Sequence, residues 1–255
     1  MHVLIAGAGL GGLSLAQFLR EQGISYEIFE RDIGEKVRFQ RWTIAPHVVI
    51  NKLTSSVPSD LPGLRDSTNH LEPLKLPAQV AMYMPGRMDR VGFQDKRLKR
   101  IEDGNDGVAV YFYDGTSAKG DILVGADGVN NVGREHLIRR PSTDVLGVVP
   151  LATIVGENFM QADPDISKPD HWLQKAGQQE KLDHVLKATA KTPSSLREIF
   201  EMRPGGEIRR EPHVWCELEL EKIRLPAGHV ILVRDASHVM TPFKGEGGRN
   251  SFSQV

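Results

Sequence analysis

The sequence predicts an α/β fold: a parallel βαβ sheet with an appended β-meander and a further, reduced β region. Three observations predict it. An apolar run, His2 to Ala6, passes directly into Gly7-Ala8-Gly9-Leu10-Gly11-Gly12 and then into a helix-spaced apolar pattern. Strand-like runs between Lys96 and Val124 are separated by Asn105-Asp106-Gly107 and Asp114-Gly115, turn chemistry that tolerates positive φ. Two late strands return after a broken, polar stretch.

The elements follow in order. His2 to Ala6 is the first strand. Leu13, Leu15, Ala16, Phe18 and Leu19 fit the buried side of a helix that Gly23 stops. Tyr26 to Glu30 is the second strand. From Arg38 to Arg90, Pro46, Pro58, Pro62, Pro73, Pro77 and Pro85 break any long element, so an irregular excursion is expected. Arg97 to Glu102, Val108 to Tyr113 and Ala118 to Val124 form the meander. Glu157 to Pro212 is polar and broken, with helices near Gln178 to Ala190 and Ser194 to Met202 and a thin core. Val214 to Leu220 alternates in strand fashion, and His229 to Val233 is a more buried strand. No internal repeat or Gly/Ser linker is present.

Composition excludes several function classes. With Lys+Arg 32 against Asp+Glu 33, a net charge of −1 offers no global field to hold nucleic acid or an anionic membrane surface. Cys216 is the only cysteine, so no internal disulfide and no multi-thiolate metal site is expected, and a reducing compartment fits. The opening apolar run falls far below the ~20 residues of a membrane span and lacks the basic lead of a signal peptide. A soluble, cytoplasmic protein is the expectation.

Gly7, Gly9 and Gly12 form G-x-G-x-x-G between a strand and a helix, the context this motif requires. The first glycine permits the tight turn, the second lets backbone approach a pyrophosphate, and the third lets helix and strand pack closely. Glu30 ends the second strand, where a carboxylate accepts ribose hydroxyls. With strand, helix and acid together, a Rossmann-like dinucleotide site is favoured over a purely structural turn. Two later segments, Gly120 to Gly128 and Asp235 to Pro242, each end a strand in an aspartate; taken singly, either reads as a turn or a helix cap.

Together and in this order, the three motifs resemble the FAD-dependent monooxygenases of the aromatic-hydroxylase type, especially the fungal branch associated with secondary metabolism. Val3 to Leu13 is similar to that family's FAD fingerprint, Phe29-Glu30-Arg31-Asp32 to the end of its second strand and Trp42 to His47 to the segment after it. Asp121 to Gly128 is similar to its Asp-Gly motif, and Arg234 to Asn250 to its Gly-Asp motif. The resemblance implies an FAD-binding sheet of residues 1–150 and 213–255, with 151–212 as a reduced substrate-covering region. It implies FAD held by Gly7, Gly9, Gly12, Glu30 and Arg31. Asp127 would lie near the pyrophosphate and the nicotinamide path. Asp235 would accept a ribitol hydroxyl, with Pro242, Gly245, Gly247 and Gly248 bringing backbone close to the flavin. Arg90 is similar to a family arginine that contacts FAD. NAD(P)H is the implied co-substrate and a small aromatic or polyketide-like metabolite the implied substrate. The hard chemistry is the flavin's. No residue is assigned as catalytic; His47 and His238 are candidates for positioning a proton, and Arg41 and Trp42 for lining the flavin.

The chain departs from the family pattern at several points. Arg234 stands where the family has glycine, Asn131 where it has serine, and Gly133 replaces an apolar residue before Arg134; Arg249 displaces the expected asparagine to Asn250. The Arg90 helix, the full substrate sheet and a long helix after Asn250 are expected to be missing. Two rivals therefore stand beside the monooxygenase: a shortened, non-catalytic homologue that binds FAD or its ADP half, and an NAD-dependent dehydrogenase, which leaves the two later aspartate motifs without a role.

Overall fold

The structure is a computed structural model, and it describes residues 1–33, 55–56, 58–60, 95–154, 159–202, 204–208, 213–218 and 225–239. Long-range parallel pairing builds its first sheet. β1 (His2–Ala6), β2 (Ser25–Phe29), β6 (Ile122–Gly125) and β10 (Val230–Leu232) lie in the order β10-β6-β1-β2, every pair parallel. β1 is therefore central and covered on both faces, which is why it reads as an unbroken apolar run. Its side chains divide by pleat. Val3 and Ile5 join Ala16, Ile28, Val124 and Val233 in the core beneath α1 (Leu10–Glu21). Leu4 and Ala6 join Phe29, Leu123 and Leu137 in the opposite core.

That opposite core is roofed by an antiparallel meander. β3 (Leu98–Gly104), β4 (Gly107–Phe112) and β5 (Ser117–Gly120) pair in sequence order. Val108, Val110 and Phe112 alternate inward from β4, and the Phe112 ring meets Phe29 at 4.7 Å between centroids. One expectation is corrected here. Ala118 to Val124 is not a single meander strand, because the chain leaves the meander at Gly120 and enters the parallel sheet at Ile122. The break has a packing cause: a Cβ on Gly120 would lie 2.9 Å from the His2 carbonyl and 2.8 Å from Leu4 Cγ. Asp121 between the two strands takes the His2 amide on its carboxylate.

The chain divides into two units, residues 1–145 with 218–255 and residues 146–217. In the second, β7 (Leu146–Ile154), β8 (Phe159–Ala162) and β9 (His213–Leu218) form a sheet ordered β8-β7-β9, with β7 and β8 antiparallel. α3 (Trp172–Lys175), α4 (Gln178–Ala188) and α5 (Ser194–Glu201) accompany it, while α2 (Val132–Ile138) belongs to the first unit. The expected thin core is corrected as well. Ile166, Leu173, Leu182, Val185 and Ile208 form a closed apolar cluster at 0–5% exposure. Only Leu182 and Val185 share a helix, α4, while Ile166, Leu173 and Ile208 come one each from loop, short helix and turn, so no long periodic pattern announced the cluster.

Candidate functional site

Parallel strands end at one edge of their sheet, and the order β10-β6-β1-β2 reverses direction beside β1. Open α/β sheets bind ligands at such a switch point, outside the carboxyl ends of the strands. The segments that leave this edge are Gly7–Gly9 after β1, Glu30 and Arg31 after β2, Ala126 and Asp127 after β6, and Val233–Asp235 after β10.

The glycines are held to different tolerances. Gly7 has φ +105°, and a Cβ there would lie 2.6 Å from both Ala126 O and Asp127 Cα, so the first and third segments touch through backbone. A Cβ on Gly12 would overlap the Gly7 carbonyl, which makes this glycine the close helix–strand contact. Gly9 differs from both. Among the described residues nothing lies within 4 Å of where its Cβ would be, and its extended backbone opens α1. The first turn of α1 contains no acid, and the first amides of a helix have no intrahelical partner. Open space, amides without an intrahelical partner and the positive end of a helix together suit a diphosphate.

Glu30 closes the side of the loop. Its Oε2 accepts the Ala8 amide at 2.8 Å and its Oε1 the Asp32 amide at 3.0 Å. A carboxylate has about four acceptor directions, so ribose hydroxyls can still be received. Arg31 is near enough for its charge to act on the Asp127 carboxyl. Burial is the largest influence on that carboxyl and pushes it up to about 6, against the pull of backbone amides, Asn131 and Arg31. The Asp127 side chain is turned into its own loop, where Asn131 Nδ2 donates to Oδ1.

Sequence reasoning passed over Arg134. Its side chain is fully buried, and it ties two site segments together. Nη2 donates to the Val129 carbonyl, Nη1 to the carbonyls of Asp235 at 3.2 Å and Ala236 at 2.9 Å, and Nε to Ser142 Oγ at 3.2 Å. The loop after β6 and the turn after β10 are thus cross-braced by one guanidinium. A readable signal existed: Arg134 falls between Gly133 and Leu137 on the buried side of α2, where arginine is rare without partners. Asn131 caps the same helix by accepting the Arg134 amide.

Asp235 is exposed within the 3-10 turn Arg234–Ala236. His238 is half-buried, its Nδ1 2.8 Å from Ser237 Oγ and its amide on the Arg234 carbonyl, so it is fastened to that turn. Gly7, Gly9, Gly12, Glu30, Arg31, Asp127 and Asp235 are thus gathered at the carboxyl edge. Arg41, Trp42, His47, Arg90, Pro242, Gly245, Gly247 and Gly248 lie outside the described residues.

A family profile for the FAD binding domain matches residues 1–48. The FAD-dependent monooxygenase thnD of Trichoderma harzianum is 43% identical over 327 aligned residues, covering 99% of this chain and 80% of that protein. An FAD-dependent urate hydroxylase of Klebsiella pneumoniae is 25% identical, covering 97% of this chain and 78% of its own length. In fold, the chain is similar to a single-substitution variant of Klebsiella pneumoniae HpxO complexed with FAD, with a TM-score of 0.70 at 20% identity, over 98% of this chain and 78% of that one.

Proposed function

The chain belongs to the FAD-dependent monooxygenases, and from that premise we propose that it oxygenates a small aromatic or polycyclic metabolite in secondary metabolism, with NAD(P)H as reductant. The observation that carries the reading is the 43% identity across nearly the whole chain. Its FAD site supports it, because the residues at the carboxyl edge fit the cofactor. The open backbone at Gly9 and the first turn of α1 would receive the diphosphate, Glu30 the ribose and Asp235 the ribitol. Bound FAD supplies electron transfer from the nicotinamide and activation of O2, one oxygen atom going to substrate and the other leaving as water.

The chain's own residues bind and orient. Gly7 and Gly12 set the loop against the sheet, and Arg134 fixes the turn that presents Asp235. Asp127, held near pH 6 by burial, can keep or release a proton close to working pH. Residues 151–212 are proposed to cover the substrate. Aromatic chemistry is supported by the urate named for one relative.

A second reading, FAD or ADP binding without turnover, has one observation in its favour. The stretch aligned with thnD, 327 residues, is longer than this chain's 255, so the relative carries internal segments that have no counterpart here. One titration separates the two. Purified protein loaded with FAD should develop a bound-flavin absorbance band and oxidise NAD(P)H faster when aromatic substrates are added. A yellow protein that never consumes NAD(P)H supports the second reading, a folded protein that takes up no FAD sinks the first, and one that takes up neither FAD nor ADP sinks both.

A further inference from the structure

The meander carries cations beside β2 in a pattern that its packing does not require. Asp95 and Lys96 donate their amides to the carbonyls of Asp32 at 3.2 Å and Glu30 at 2.8 Å, so the segment entering β3 runs alongside the exit from β2. Leu98 turns into the core, and Arg97 and Lys99 on either side of it are exposed. Pairing with β4 then slips by one residue: Leu98 faces Phe112, Arg100 faces Tyr111, and Lys99 is the extra residue of a bulge. A bulge re-aims side chains. Here it leaves Lys99 and Arg100 both exposed before Ile101 returns to the core.

Tyr113, just past β4, is 61% exposed and collects two of these charges. The Arg97 guanidinium lies 4.9 Å from its ring centroid and the Lys99 ammonium 5.9 Å. The Tyr113 amide donates to the Arg97 carbonyl at 3.0 Å, which fixes ring and cation together. A ring attracts a cation without cancelling its charge. The neighbouring cations are neutralised, Lys96 by Asp114 and Arg100 by Glu102. Asp114 is further engaged by the amide and hydroxyl of Thr116. Among the described residues neither Arg97 nor Lys99 pairs with a carboxylate, and their polar contacts are with the Tyr113 ring. Two like charges on one exposed ring repel, and an anion that both can reach reverses that cost.

NADPH differs from NADH by one phosphomonoester on its adenosine ribose. Such a group carries nearly two charges at neutral pH and three acceptor oxygens. A guanidinium meets a pair of those oxygens as a fork, and an ammonium meets the third as a point charge. We propose that Arg97 and Lys99, held by Tyr113 beside the exit from β2, bind the 2′-phosphate of NADPH and so select NADPH over NADH, on the reading above that a nicotinamide dinucleotide reduces the flavin.

The test uses the FAD-loaded protein. Flavin bleaching is followed anaerobically with NADPH and with NADH, and binding of 2′,5′-ADP is compared with that of 5′-AMP by calorimetry. The wild type should prefer NADPH over NADH, and 2′,5′-ADP over 5′-AMP, by about tenfold or more. Arg97→Ala and Lys99→Ala should each cut that preference severalfold and together abolish it. Arg97→Lys should keep part of it, and Tyr113→Phe, which retains the ring, nearly all of it. Preference is a ratio, so a variant that merely folds poorly weakens both ligands alike and leaves it unchanged. A wild type that uses the two coenzymes equally, or a double variant that still prefers NADPH, overturns the proposal. Flavin that neither coenzyme bleaches refutes the reductant reading itself, and the calorimetric comparison then decides separately whether Arg97 and Lys99 take a ribose phosphate.

Discussion

Single residues at the carboxyl edge differ in what they answer to, and substitution can tell them apart. Alanine at Gly12 forces its Cβ into the Gly7 carbonyl, so Gly12→Ala should lower the melting temperature of the free protein by several degrees or prevent folding. Alanine at Gly9 meets nothing among the described residues. Gly9→Ala should therefore melt within about 0.5 kcal/mol of the wild type yet lose most FAD affinity, because the added methyl fills the space kept for the ligand. Matched thermal melts and FAD titrations check both, and a Gly9→Ala protein that binds FAD normally would remove Gly9 from the site. Asp127 answers to pH. Its folded carboxyl, at about 6, binds a proton more tightly than the unfolded chain at 3.8, so ionisation costs the folded state. Stability is full below the unfolded value, falls as pH rises towards 6, and is then level. The loss is at most about 3 kcal/mol, reduced by the solvent that this half-buried side chain retains. Asp127→Asn should consequently be more stable than the wild type at pH 7.5 and equal to it at pH 3, as read by urea unfolding of the apoprotein. The glycine loop and Glu30 were legible because a motif is a run of identities in fixed order. Asp127's inward turn was not, since it depends on Asn131, four residues on, pointing back at it.

At the scale of elements, the departures around α2 prove to be one adjustment. Asn131 packs against both Gly125 and Gly133: a Cβ at 133 would lie 2.9 Å from Asn131 Oδ1 and 3.2 Å from Leu232 Cδ2. Reading the two positions separately, as a serine replaced and an apolar residue lost, hides that the larger residue occupies room the smaller one gives up. Gly133→Ala should cost about 1–3 kcal/mol with Asn131 present and clearly less in an Asn131→Ser background. A double-mutant cycle in urea measures the difference, and simple additivity would dissolve the pairing. The same scale explains why element types were readable and their assignment to sheets was not. β1 and α1 are fixed by local periodicity. Ala118 to Val124 is uniformly strand-like, and only contact with His2 and Leu4, more than a hundred residues earlier, decides that Gly120 ends one sheet and Ile122 begins another.

The whole molecule consists of two units with separate cores, and the family assignment bears on them unequally. Residues 1–145 with 218–255 contain every described candidate for holding FAD. Residues 146–217 rest on Ile166, Leu173, Leu182, Val185 and Ile208, a cluster with no share in the parallel sheet. If nucleotide binding is the business of the first unit and substrate covering that of the second, weakening the second core should separate binding from turnover. Leu182→Ala removes a side chain that is 5% exposed from that cluster and should destabilise its unit by about 2–5 kcal/mol. Hydrogen exchange should then accelerate across α4 and the neighbouring turn while β1, β4 and β6 keep their protection. FAD affinity should change less than twofold, and substrate-stimulated NAD(P)H oxidation should fall. A parallel loss of FAD affinity would mean that the second unit is needed to complete the cofactor site. That outcome would also turn the shortfall in aligned length against thnD from a question about substrate into one about the flavin.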